Sequence, residues 1–350
     1  MNAILLAAAI GASVCSQSTP PAPAPAPAAA PPANAAGPYK VLSTFEVGGE
    51  GGWDYLNIDS GAKRLYVSRG SRAIVIDTES GKQVGEVPNT AGIHGIALAP
   101  QLGKGFTSNG RSDDVTIFDL KTLAVEKTVK AGKNPDAIMF EPVTKRVFAF
   151  NGRSSDATVI NAEDGSVVAT IPLGGKPEFA VHDGAGKVFV NIEDTSEVVR
   201  IDAQGAKVEQ RWSISPGNEP SGLAIDPPNH RLYAVCANQM MVVLDSETGK
   251  VIATPPIGKR VDGAAFDPIN GYALSSNGDG TVTVVSAKTN AVVQNLPTAA
   301  GARTIVFDPA THRAYLPSAE FEPAAPAKEG AQPQRPKMKA NTFKVVVIGT

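Results

Sequence analysis

Pro220-Ser-Gly-Leu-Ala-Ile-Asp226-Pro227, then Arg231-Leu-Tyr-Ala-Val235, Met241-Val-Val-Leu-Asp245, the turn Glu247-Thr-Gly-Lys250 and Val251-Ile-Ala-Thr254 form a phrase of about forty residues that returns along the chain. The residue closing the opening strand of each copy falls at Asp59, Ala99, Glu141, Asp183, Asp226, Asp267 and Asp308, at separations of 40 to 43. The residue ending the third strand falls at Asp77, Asp119, Asn161, Asp202, Asp245, Ser286 and Gly349. That second series steps by 41 to 43 until a last step of 63, which marks one insertion. Two independent series that agree on this period, with four short strands per unit, predict an all-β, seven-bladed β-propeller rather than a helical solenoid.

The units read as strands because their apolar residues are β-branched and alternate or run in fours and fives, as in Thr281-Val-Thr-Val-Val285. Ser80-Gly81, Asp164-Gly165 and Thr248-Gly249 separate third from fourth strands, where a tight hairpin needs positive φ. No stretch carries a sustained helical period with caps, so no helix is expected in the folded part. The last copy ends at Lys344-Val-Val-Val-Ile348 and lacks a fourth strand, whereas the folded part begins with a lone one, Val41-Leu-Ser-Thr-Phe-Glu-Val47. The N-terminal strand is therefore expected to complete the last blade, with four antiparallel strands in every blade and no open edge between the chain ends.

Around this ring, residues 1–16 read as an export signal. Ala3 to Ile10 is apolar, too short to span a membrane, and followed by small residues, although no Lys or Arg precedes it. Cys15 is a candidate lipid anchor, with Val14 where a small residue is expected. Residues 17–38 are a Pro/Ala-rich linker that cannot pack a core. Residues 39–350 form the propeller, with an insertion loop at 320–341 rich in Pro, Ala and Lys. A periplasmic or secreted monomer is expected. Cys236 has no partner cysteine in the ring and reads as a small buried side chain. With 32 basic and 34 acidic residues, all scattered, the chain shows none of the basic stripe of a duplex-DNA binder.

The phrase, with Tyr66-Val67-Ser68 and Phe106-Thr-Ser-Asn109 at its second strands and the degenerate Tyr315-Leu-Pro-Ser318, resembles the YVTN-type, YncE-like bacterial β-propeller family. The resemblance covers all seven copies. It implies a seven-bladed, usually exported propeller and leaves the activity open, because propellers host lactonases, lyases, redox enzymes and binding modules alike.

In a propeller the first strand of each blade lines the axis. Five residues before the first anchor stand Asp54, His94, Asp136, Glu178, Ser221, Asp262 and Arg303, all polar, followed by apolar runs such as Ile96-Ala-Leu98. This register predicts a charged mouth above a dry shaft. Loops between second and third strands should open on the same face and bring Arg69, Arg111, Arg153, Asn191, Glu193 and Asn277. Trp53 and Phe179 stand beside the mouth, where they can stack on a ring or pack between blades. Of the four histidines only His94 belongs to this face; His182, His230 and His312 fall in turns of the other and read as surface residues.

A closed ring of carboxylates at Asp54, Asp136, Glu178 and Asp262 repels itself unless arginines, protons or a divalent cation (Ca²⁺, Mg²⁺ or, with His94, Zn²⁺) relieve it. Arginines can clamp a carboxylate or phosphate by paired hydrogen bonds. The first functional expectation is binding of a small polar or anionic ligand, or a protein partner, at the mouth. Its rival is a metal-assisted enzyme of the lactonase or lyase kind with His94, Asp136 and Glu178 as catalytic groups. Single-strand nucleic-acid binding is a third reading, disfavoured by the net charge of −2. Dinucleotide and phosphate loops, a nucleophile elbow and a haem attachment motif are absent.

Overall fold

The computed structural model describes residues 32–34, 36–322 and 337–350. The expected signal, most of the expected linker and the middle of the insertion lie outside these residues. Most members of both anchor series of the repeat turn out to be turn caps. At the first, the Asp59 carboxylate accepts the Ala62 N–H at 2.9 Å, Asp183 that of Ala185 at 2.7 Å and Asp308 that of Ala310 at 3.0 Å. At the second, Asp77 accepts from Ser80, Asp119 from Thr122 and Asp245 from Thr248, all through Oδ1. A short carboxylate that satisfies turn N–H groups two or three residues ahead fixes where each strand stops.

Seven sheets of four antiparallel strands result. The first blade is Leu56–Asp59, Arg64–Arg69, Arg72–Asp77 and Gln83–Val87, and each later blade repeats that order. The seventh joins Val306–Asp308, Arg313–Ser318 and Lys344–Gly349 to the N-terminal strand Lys40–Glu46. Glu46 pairs with Lys344 and Lys40 with Gly349, so the ring closes as expected. Among the described residues two single-turn 3-10 helices, Pro100–Leu102 and Pro227–Asn229, are the exceptions to the helix-free expectation. Each begins on the proline after a first anchor, where proline is compatible with a first turn. Among the described residues no helix is long and apolar enough to cross a membrane.

Second and third strands are buried almost throughout, because neighbouring blades cover both of their faces; Arg64–Arg69 and Arg72–Asp77 are examples. Fourth strands such as Val125–Lys130 are largely exposed. Innermost strands come very close together. A Cβ on Gly222 would stand 2.6 Å from the Ala264 nitrogen, and one on Gly263 would stand 2.9 Å from that of Ile305. This approach occurs one residue after the polar opening position, so it draws the opening residues of neighbouring blades together.

At the other end of the innermost strands the register is apolar: Ile58, Leu98, Phe140, Ile225, Phe266 and Phe307, with His182 in the seventh place. A rise of about 3.3 Å per residue puts that ring roughly 13 Å from the polar one. There a cavity of about 350 Å³ is lined by Leu98, Met139, Phe140, Phe179, His182 and Ile225 among others. His182 is thus no ordinary surface residue: it ends the strand Pro177–His182, and burial lowers its pKa.

Candidate functional site

Five first-strand openings meet at the charged mouth. His94 Nδ1 lies 2.7 Å from Asp54 Oδ2 and 3.6 Å from Asp136 Oδ1. Arg303 Nη2 reaches Asp54 Oδ1 at 3.3 Å, and the Nη1 of the same guanidinium contacts Asp262. Each group is set by backbone its sequence dictates. The Asp54 N–H donates to Ser68 Oγ at 2.8 Å, and Thr304 Oγ1 donates to the Asp54 carbonyl at 2.8 Å, tying blade seven to blade one. Ser108 takes the Gly95 N–H at 2.8 Å and donates to the Asp136 carbonyl, tying blade two to blade three. A Cβ on Gly110 would stand 2.8 Å from the His94 ring, so only glycine leaves room for the imidazole.

Above this floor opens a cavity of about 880 Å³. Its lining includes Trp53, Asp54, His94, Arg111, Lys133, Asn134, Arg153 and Arg303. Lys133 is paired with Asp113 at 2.8 Å. The guanidiniums of Arg111 and Arg153 have no hydrogen-bond or ion-pair partner among the described residues, unlike that of Arg303 beside them.

Burial raises Asp136 to about 6, with the Asp54 charge adding to it against the pull of His94. Glu178 is raised to about 8, first by burial and then by Asp136, against the opposing pull of Lys176. Burial would lower His94, but its hydrogen bond to Asp54 and the charges of Asp136, Asp54 and Glu178 outweigh this and raise it. Tyr55 is raised well above its ordinary range by burial and by the charges of Asp136, Asp54 and Glu178. Its ring lies 5.0 Å from that of Phe179.

The sequence-predicted residues therefore divide. Asp54, His94, Asp136, Asp262 and Arg303 form one connected cluster, and Arg111 and Arg153 line the same cavity. Glu178 stands beside Asp136 but is held by Lys176 at 2.5 Å, which also contacts Glu193. Trp53 lines the cavity and packs against Phe343 and Phe321, with ring centroids 5.4 and 5.8 Å away. Phe179 packs below the mouth rather than lining it. Ser221 donates to the Val261 carbonyl at 3.3 Å.

Asn191 and Asn277 are not in open loops. Both are fully buried at the ends of second strands. Asn191 bridges to the Ser221 and Gly222 carbonyls at 2.9 and 3.0 Å, and Asn277 donates to Thr281 and Thr283. Arg69 is also buried; it holds the Gly51 carbonyl and lies 3.8 Å over the Phe343 ring. Lys133, Lys176 and Tyr55 were not singled out from sequence. The signal was there for the lysines, which stand two or three residues ahead of an opening polar position, in Lys133-Asn-Pro-Asp136 and Lys176-Pro-Glu178.

No protein-family model matches the chain, and no curated protein matches it. Among solved structures it is similar to Kuenenia stuttgartiensis hydrazine synthase, with a TM-score of 0.68 over 76% of this chain and 92% of that one. At 17% identity the likeness is one of fold.

Proposed function

We propose that this chain is an exported propeller that binds a small anionic ligand at the charged mouth. The observation that carries the reading is the pair of unpaired guanidiniums, Arg111 and Arg153, lining one cavity with His94 and Arg303. Both are exposed at the rim, and two guanidiniums presented together without an anion of their own fit a carboxylate or phosphate bidentately. A cavity of this size suits a small molecule better than a protein surface. The apolar leader, the Pro/Ala tether and the resemblance to YVTN-type propellers support export to the periplasm or beyond.

Calorimetric titration with citrate and with inorganic phosphate tests the reading. Each charge-assisted contact contributes about 1.5–3 kcal/mol, so Arg111→Ala and Arg153→Ala should each weaken binding roughly 10- to 100-fold. Binding by the double variant equal to wild type would refute it.

A second reading, turnover of the lactonase or lyase kind, is favoured by the 2.7 Å contact that orients the His94 ring toward Asp54. An imidazole steered by a carboxylate is the usual form of a general base. A panel of lactones and sugar-acid esters, run with wild type and His94→Gln, decides it: turnover that survives His94→Gln removes His94 as base.

A further inference from the structure

The four mouth carboxylates do not share one environment. Glu178 faces Lys176, and Asp262 faces Arg303, so each already has its own cation. Asp136 has none. Its side chain is only 14% exposed, and among the described residues its carboxylate accepts no hydrogen bond within 3.5 Å; the nearest cationic candidate is His94 Nδ1 at 3.6 Å. A carboxylate so enclosed and so poorly compensated calls for a positive partner.

One ligand atom each from Asp54, His94 and Asp136 lies within 4.8 Å of the others. Nδ1 of the imidazole faces both carboxylates. The other oxygen of Asp54 is steadied by Arg303 at 3.3 Å, the kind of outer contact that orients a metal-binding carboxylate. Metal–ligand distances of about 2.0–2.2 Å in a tetrahedron put neighbouring ligand atoms roughly 3.4 Å apart. The 3.6 Å contact already matches, and the 2.7 Å contact has to open slightly. Two of the three, Asp54 and His94, line the cavity that also holds Arg111 and Arg153.

We infer that Asp54, His94 and Asp136 bind one zinc-class divalent cation with an open coordination position, and that Glu178 and Asp262 stay outside its ligand set. The inference deepens the anion-site reading and rests on it: the ligand's anionic group would sit between the metal and the arginines. One imidazole with two carboxylates is a mixed N/O donor set that suits zinc better than calcium, which takes six to eight oxygens.

The test strips the purified full chain with chelator and titrates it with zinc chloride, counting bound metal by elemental analysis. Wild type should take up one zinc per chain and gain thermal stability. His94→Gln and Asp136→Asn, checked for folding by circular dichroism, should bind it at least ~100-fold more weakly, beyond the roughly 10- to 100-fold expected for the outer variant Arg303→Ala. Glu178→Gln should keep the full stoichiometry. Should His94→Gln fail to fold, the visible absorption of cobalt in wild type, and its loss in Asp136→Asn, reads the same ligand set.

No zinc on wild type overturns the inference. So does unchanged affinity in both ligand variants, or a loss in Glu178→Gln as large as theirs. Inorganic phosphate titrated into the metal-free chain separates the two readings. Phosphate binding that needs Arg111 and Arg153 upholds the anion site even when zinc fails, and zinc without any phosphate binding leaves the metal site and removes the anion site.

Discussion

Asp136 shows what a single side chain costs and gains at this mouth. Its folded-state pKa of about 6 lies above the ordinary 3.8, so the folded chain holds the proton more tightly than the unfolded chain does. The sign follows. This stabilisation is fully present below about pH 4 and is lost as pH rises through about 6, leaving an ionised, enclosed carboxylate. In metal-free protein Asp136→Asn should therefore narrow the stability difference between pH 4 and pH 7.5 by roughly 2–3 kcal/mol. Urea melts at the two values measure it; an unchanged difference would mean that Asp136 is already compensated. That a polar residue stands at this position was legible in the register of the repeat. That His94 bends toward Asp54 and Asp136, while Asp262 and Glu178 acquire cations of their own, depends on side-chain packing across blades, which spacing alone does not encode.

At the scale of strands and turns, the hairpin between third and fourth strands sets the rhythm. Gly249 has φ 71°, and a Cβ there would stand 2.1 Å from the Trp212 ring of the neighbouring blade. Gly249→Ala combines left-handed strain with overpacking and should cost roughly 2–4 kcal/mol. It should leave citrate affinity as in wild type, because the turn lies away from the mouth; a melt within a degree of wild type would contradict this. These turns were readable because glycine after Ser, Asp or Thr announces a positive φ. The same logic misled at Asn277-Gly278, which resembles an open polar turn. The Asn277 amide instead turns inward to Thr281 and Thr283, and Ser275 donates to its carbonyl at 2.8 Å. A buried amide fully used within its own blade looks, in sequence, like a polar loop residue.

For the molecule as a whole, closure makes distant residues neighbours. The strand Lys40–Glu46 pairs along its length with Lys344–Gly349. Just before it, Tyr39 donates its hydroxyl to Asp267 at 2.6 Å and its N–H to Gln294 at 2.9 Å, fastening the N-terminal segment to blade six as well as blade seven. Tyr39→Phe should cost about 1.5–3 kcal/mol, since the lost bond is to a carboxylate. Removing residues 39–46 should abolish cooperative melting, and a deletion variant that melts like wild type would argue against the closure. The lone opening strand and the truncated last copy made this join legible. The second grip through Tyr39 was not, because nothing in the repeat marks a residue that precedes it.

The convergence of three blades on one ligand is the claim everything else serves, and citrate titration of a single variant from each blade addresses it. Arg111→Ala, Arg153→Ala and Arg303→Ala should each weaken binding about tenfold or more. Their effects should combine non-additively because they grip one molecule. Arg231→Ala, whose guanidinium lines a different cavity beside Asp245, should bind as wild type does. Affinity that falls in only one of the three mouth variants, or in none, would contradict the account.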